Sequence, residues 1–274
     1  MRGMETEAGT RNVTVGEDAG ARDIALRLTP PRTGNDLPHF VWLGGYRSDM
    51  TGTKAVELAR LAERLGTGCI RFDYSGHGAS GGAFADGTIS RWLEEALFVI
   101  DHARGALATR AMILVGSSMG GWIALRAVAE LRARGLADHL RGLVLIAPAP
   151  DFTSELIEPN LTAAERTSLA ERGFFEEPTP YGPDPNIYTL KLIEDGRANR
   201  VLDGTIDTGC PVHILQGMLD PDVPYQHAMT LMEHLVGDDV VMTLVRDGDH
   251  RLSRPEDIER MLSVIETLAT SKIP

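Results

Sequence analysis

The stretch Ala111–Gly135 reads AMILVGSSMGGWIALRAVAELRARG. An apolar run ends at a serine pair and a helix-forming run begins at once. A buried strand that meets a helix has little reason to carry two hydroxyls at the junction. Gly116-Ser117-Ser118-Met119-Gly120 fits G-x-S-x-G with Ser118 at the centre. Ser117 does not fit, because Val115 stands two residues before it. The pattern has a physical basis. The chain must turn from strand to helix within about one residue, which strains the central serine and exposes its oxygen. Flanking glycines avoid clashes with the strand and the helix. The helix dipole then favours negative charge developing at that serine. Ser118 is therefore the candidate nucleophile. Ser117 is expected to point into the packing or to cap the turn.

Working outward, apolar runs bounded by Gly, Pro or Asp recur along the chain. They are DIALRLT (23–29), HFVWLGG (39–45), GCIRFDYS (68–75), AMILVGS (111–117), GLVLIAPA (142–149), PVHILQG (211–217) and VVMTLVRD (240–247). They read as strands, several of them apolar on both faces. Helical patterns alternate with them. TKAVELARLAERLG spaces Ala55, Leu58, Ala62 and Leu65 on one face and stops at Gly66. SRWLEEALFVIDHAR, GGWIALRAVAELRARG, YQHAMTLMEHLVG and PEDIERMLSVIETLAT are further helices. The alternation predicts an α/β class with a mostly parallel central sheet of about eight strands flanked by helices. The chain of 274 residues, 43% hydrophobic, reads as one domain over 1–274. Between about 150 and 207 the rhythm breaks. Thr162 and Glu165 stand at capping-box spacing, and EEPTPYGPDPN follows, rich in Pro and acid. This segment reads as a small insertion of short helices and ordered loop. It follows a strand's C-terminal end, where ligands bind in open α/β sheets, so it is expected to act as a cap or lid.

Composition narrows the partners. A net charge of −12 disfavours nucleic acid or an anionic membrane surface. No segment approaches the ~20 apolar residues of a membrane span. The N-terminal residues lack the apolar core of a signal peptide, so a cytoplasmic protein is expected. Cys69 and Cys210 read as buried free thiols rather than a disulfide framework. There is no C-x-x-C or H-E-x-x-H. The glycine-rich SGHGASGG lacks a phosphate-loop lysine and dinucleotide spacing. No metal and no cofactor are expected.

A serine hydroxyl needs a base, and the base an orienting acid. Of the eight histidines, only His250 lies in a loop just beyond the final strand. His39 and His213 read as packed, and His102, His139, His227 and His234 as solvated. His77 lies in a glycine-rich loop near the site and reads as loop structure. The acid should follow a later strand, where MLDPDVP offers Asp220 or Asp222. Asp220 is preferred, being closer to the strand, with Asp222 helping to start the next helix. Asp247 and Asp249 are too near His250 in sequence and are expected to shape its loop. Two oxyanion donors are expected: the N–H of Met119, directly after the nucleophile, and the N–H of Tyr46 in the Gly44-Gly45-Tyr46-Arg47 loop. Arg47 and Leu219 are candidate substrate contacts.

With these residues in place the chain resembles the α/β-hydrolase superfamily from Asp23 to Ile273. The likeness rests on GGYRSDMTGTKA, RFDYSGHGASGG, GSSMGG, LQGMLDPDVP and GDHRLS, in the family's order. It is similar to the branch holding the mycophenolic acid acyl-glucuronide esterase and palmitoyl-protein thioesterase. That resemblance implies the α/β-hydrolase fold with a short cap. It also implies a serine esterase or thioesterase in which Ser118, Asp220 and His250 serve as nucleophile, acid and base. The partner would be a small-molecule acyl ester or thioester, and the enzyme a monomer or homodimer. Two other readings share the residues: a peptidase or amidase of the same fold, and a ligand-binding homologue without catalysis.

Overall fold

A computed structural model describes residues 9–107, 111–237 and 239–271. In chain order the strands are β1 (Arg11–Val15), β2 (Arg22–Thr29), β3 (His39–Leu43), β4 (Cys69–Phe72), β5 (Met112–Ser117), β6 (Leu140–Ile146), β7 (Phe174–Glu177), β8 (Asn186–Thr189), β9 (Ile206–Asp207), β10 (Val212–Gly217), β11 (Leu235–Val236) and β12 (Val240–Val245). The helices are α1 (Thr53–Leu65), α2 (Ile89–Ala106), α3 (Met119–Ala133), α4 (Ala163–Arg172), α5 (Leu190–Ala198), α6 (Tyr225–His234) and α7 (Pro255–Thr270).

Eight strands form the main sheet in the order β1-β2-β4-β3-β5-β6-β10-β12. Only β2 runs against the rest, pairing antiparallel with both β1 and β4. Within this sheet the strand the periodicity did not reveal is β1. It buries only Val15 and so carries almost no alternating signal. Every residue of β3 and β5 is buried. Their side chains alternate between two cores. Val41, Leu43, Met112 and Leu114 face the layer holding α2, α3 and α6. Phe40, Trp42, Ile113 and Val115 face the layer of α1 and α7. Two-sided coverage is why these strands read as continuous apolar runs, each buried aliphatic side chain contributing about 1.5–3 kcal/mol.

The parallel register brings the carboxyl ends of β3, β5, β10 and β12 to one edge. Leu43 pairs with Gly116, and Gly217 with Val245. The loops after these four strands carry Tyr46, Ser118, Asp220 and His250. The segment between β6 and β10 crosses the same edge. Thr162 accepts from the N–H of Glu165, and the Glu165 carboxylate accepts from the N–H of Thr162, forming a capping box at the start of α4. The proline-rich stretch departs from the expected helices and loop. It is the turn of an antiparallel hairpin, β7 pairing with β8. Strands of four residues beside so much Pro and acid leave too few positions for a visible alternation.

Candidate active site

Ser118 sits between β5 and α3 at φ 54°, ψ −120°, a conformation rarely open to a residue with a side chain. Its surroundings hold it there. A Cβ on Gly120 would fall 2.0 Å from the Leu43 carbonyl oxygen, and one on Gly116 would fall 2.4 Å from the Gly120 carbonyl oxygen. The Ser118 N–H donates to Ile146 O at 2.9 Å.

Residues from two distant loops line up behind the hydroxyl. His250 Nε2 lies 3.2 Å from Ser118 Oγ, and His250 Nδ1 lies 2.8 Å from Asp220 Oδ2. A carboxylate only accepts, so Nδ1 carries the proton and Nε2 is left to accept from the serine. Asp220 is buried and fully engaged. Its Oδ1 accepts from the N–H groups of Asp222 (2.9 Å) and Val223 (2.8 Å). Its Oδ2 also accepts from Gln216 Nε2 at 3.1 Å. Gln216, which sequence reasoning passed over, is buried on a strand whose other polar side chain is His213, and it braces Asp220; an amide in a largely apolar run was the available signal. Asp222 lies beside the site but is turned to another partner: its carboxylate accepts from the Tyr181 hydroxyl, and α6 begins at Tyr225 behind Pro224. Asp249 caps its own loop through the Leu252 N–H, and Asp247 pairs with Arg254.

The Gly44–Arg47 loop lies against the serine. A Cβ on Gly45 would come within 3.2 Å of both Ser117 O and Ser118 Cβ. Asp73 binds this loop to its neighbour, its carboxylate accepting from the N–H groups of Met50 (2.6 Å) and Ala79 (2.8 Å). His77 is buried, accepts from the Arg47 N–H, and faces Ser75 O through Nδ1. The expectation that His227 is solvated is overturned. It is buried, its Nε2 2.8 Å from Pro150 O, because α6 turns that side of the helix into the core.

The sequence and the fold both resemble those of known proteins. Residues 34–261 match the alpha/beta hydrolase family. The chain belongs to this family. Among curated relatives, the human mitochondrial palmitoyl-protein thioesterase ABHD10 is 31% identical over 233 residues, 84% of this chain and 72% of the relative. The mouse protein is 32% identical over 247 residues, 88% and 78% respectively. A crystal structure from Agrobacterium vitis S4, named a hydrolase, is 64% identical with a TM-score of 0.90, covering 95% of this chain and 98% of that one. The mouse ABHD10 structure superposes with a TM-score of 0.78 at 28% identity, covering 94% and 98%. The curated relatives are named mitochondrial, which leaves the cytoplasmic expectation without support. No helix among the described residues is long and apolar enough to cross a membrane.

In this alpha/beta hydrolase the serine opens into a cavity of about 570 Å³ lined by Tyr46, Arg47, Met119 and His250 from the sheet edge. Phe152, Leu156, Leu161, Phe175 and Tyr188 of the inserted segment supply apolar surface, and Glu165, Glu177, Asp184 and Asp222 supply carboxyls. Burial, with Glu165 and Asp222 nearby, pushes the Glu177 carboxyl up. Arg47 lies over the Phe84 ring at 5.0 Å, with Nη2 4.0 Å from Asp184. Leu219 does not line the cavity. It is 67% exposed, with its N–H donating to Gly248 O. Atoms of Asp220, Asp222 and His250 lie within 4.8 Å of one another, the spacing of a metal cluster. The atoms are already committed: Asp220 to His250 and three N–H donors, Asp222 to Tyr181. Cys69 and Cys210 are free, and burial pushes the Cys69 thiol up to about 12.

Proposed function

We propose that this chain hydrolyses carboxylic esters and thioesters through an acyl-enzyme on Ser118. The single observation behind the reading is the hydrogen-bonded line from Asp220 through His250 to Ser118, at 2.8 and 3.2 Å. Ser118 Oγ attacks the substrate carbonyl while His250 Nε2 takes its proton. Asp220 holds the imidazole with Nδ1 protonated and stabilises the imidazolium. The N–H groups of Tyr46 and Met119 receive the oxyanion, each such donor contributing about 3 kcal/mol to lowering the barrier. The C–O or C–S bond then breaks, and His250 returns the proton to the departing alkoxide or thiolate. Water, deprotonated by His250, attacks the acyl-Ser118 carbonyl and frees the acid. The segment from about 150 to 207 is the cap, and its apolar side chains receive the acyl group.

The thioesterase names of the human and mouse relatives and the 0.78 superposition on mouse ABHD10 support the bond type. The test pairs a panel of p-nitrophenyl esters and acyl thioesters with labelling by a fluorophosphonate probe. Turnover together with labelling that vanishes in Ser118→Ala is the expected result. Labelling that survives the substitution removes Ser118 from the role, and turnover of aminoacyl-arylamides in preference to esters makes the enzyme a peptidase.

A further inference from the structure

The side chain of Tyr46 packs against the inserted hairpin. Its ring stacks on Tyr188 of β8 at 5.4 Å and 9° between planes. Its hydroxyl donates to Ile187 O, the residue beside it on the same strand. On its other sides the ring meets Phe84, Trp92 and Phe152 edge-on, at 4.9, 5.9 and 5.8 Å. Tyr188 is itself held by the hairpin, since its register partner on β7 is Phe175, whose ring lies 5.2 Å away. The backbone on the far side of Tyr46 is held separately, by the N–H of Arg47 on His77 Nε2 at 3.2 Å. The turn of the same hairpin reaches the opposite side of the site. There the Tyr181 hydroxyl donates to Asp222, and its ring lies 6.3 Å from the His250 ring.

We propose that the β7–β8 hairpin is a positioning element for the oxyanion donor: Tyr188 and Ile187 O grip the Tyr46 side chain and thereby aim its backbone N–H at the developing oxyanion. The proposal rests on the reading of Tyr46 as an oxyanion donor given above. A cap that served only to cover the cavity would need apolar surface facing the substrate. It would not need a parallel ring stack and a hydroxyl-to-carbonyl bond on the residue whose amide does chemistry. Two restraints on one side chain and a third on the following peptide leave the Tyr46 N–H little freedom. Such prior alignment is what makes a donor effective, since no reorganisation is then needed as charge develops. Tyr188 is thus a positioning residue that touches no reacting atom.

The test uses p-nitrophenyl acetate, whose acyl group is too short to need the cap's apolar wall, and a phenylboronic acid. The boronic acid forms a B–O bond to Ser118 Oγ as the serine proton passes to His250, giving a tetrahedral anion with an oxygen in the oxyanion position. Tyr188→Ala is expected to lower kcat and boronic acid affinity together, by about tenfold, with KM within about twofold of wild type. Tyr188→Phe, which keeps the ring, is expected to restore both. Tyr46→Phe removes only the hydroxyl bond to Ile187 O and is expected to cost about threefold in the same two quantities. It decides the matter should Tyr188→Ala fail to fold. Wild-type boronic acid affinity in both variants, or a loss confined to KM, overturns the proposal while leaving the serine reading intact. Boronic acid inhibition that persists in Ser118→Ala brings down the serine reading, and the proposal with it.

Discussion

The backbone N–H of Arg47 donates to Nε2 of His77 across 3.2 Å, joining two loops that emerge from different strands. Arg47 has φ 54°, so the peptide after Tyr46 is held in a conformation that a free loop would leave. The bond requires Nε2 to accept, which leaves the proton on Nδ1, 3.2 Å from Ser75 O. An imidazolium at this position would set two donors face to face. Burial already opposes it, pushing the His77 imidazole down to about 4.

Acid therefore acts on this pair. A histidine whose folded value lies below its unfolded value stabilises the fold fully above about pH 6.5. That contribution falls away as pH drops toward 4. For His77 the full loss is about 3 kcal/mol. His39, His213 and His227 are also lowered by burial and add with the same sign. Asp73 and Asp151, raised by burial, act with the opposite sign. Comparing a His77→Gln variant with wild type cancels all of these. Thermal melts between pH 7 and 4.5 are expected to show a shallower fall for the variant, and parallel curves for the two proteins would refute the assignment.

Asp220→Asn is expected to fold and to lose about 10⁴ in kcat. The N–H groups of Asp222 and Val223 claim one oxygen of the side chain, so the new amide nitrogen must face His250 Nδ1 and impose the wrong tautomer. Asp222→Asn, whose partner is the Tyr181 hydroxyl, is expected to stay within about tenfold of wild type. Steady-state kinetics on one p-nitrophenyl ester compares the two, and equal losses would show that Asp220 is not the orienting acid.

Gly120→Ala is expected to unfold the elbow, the strand-to-helix turn at Ser118. The added methyl would meet two carbonyl oxygens, at 2.0 and 2.6 Å, both belonging to backbone. A loss of at least about 2 kcal/mol in urea unfolding, with activity gone, is the anticipated result. Gly105→Ala, at a position with nothing within 4 Å in the last turn of α2, serves as the control and should be neutral or stabilising by up to about 1 kcal/mol. An active, stable Gly120→Ala enzyme would mean the elbow is looser than its contacts indicate.

Asp151 ties the two ends of the inserted segment together. It is fully buried, and its carboxylate accepts from the N–H groups of Val201 and Leu202, fifty residues further along, at 2.9–3.0 Å. Asp151→Ala leaves those donors without their acceptor and is expected to cost about 1–3 kcal/mol. Limited proteolysis should then cut first within residues 153–199. Cleavage elsewhere, with this segment still protected, would contradict the anchoring role.

Much of this architecture is local, and so could be read along the chain. The elbow needs small residues on either side of Ser118, and Gly116 and Gly120 stand there in plain view. The buried strands are legible because helices cover both faces, which leaves runs such as Met112–Ser117 without an outward polar position. The capping box of α4 spans four residues and could be anticipated for the same reason. Other features depend on contacts between residues far apart in sequence. The choice of Asp220 over Asp222 turns on which carboxylate the β10–α6 loop aims at a histidine thirty residues away. The placing of His227 turns on which side of α6 meets the core, and the part played by His77 on a loop thirty residues earlier. The hairpin behind Tyr46 brings Tyr188 against it across more than 140 residues. Local sterics and hydrophobic periodicity act over a few residues and leave their mark in the order of the amino acids. Side-chain pairings across loops depend on where the packed sheet delivers each loop, and no spacing along the chain encodes that.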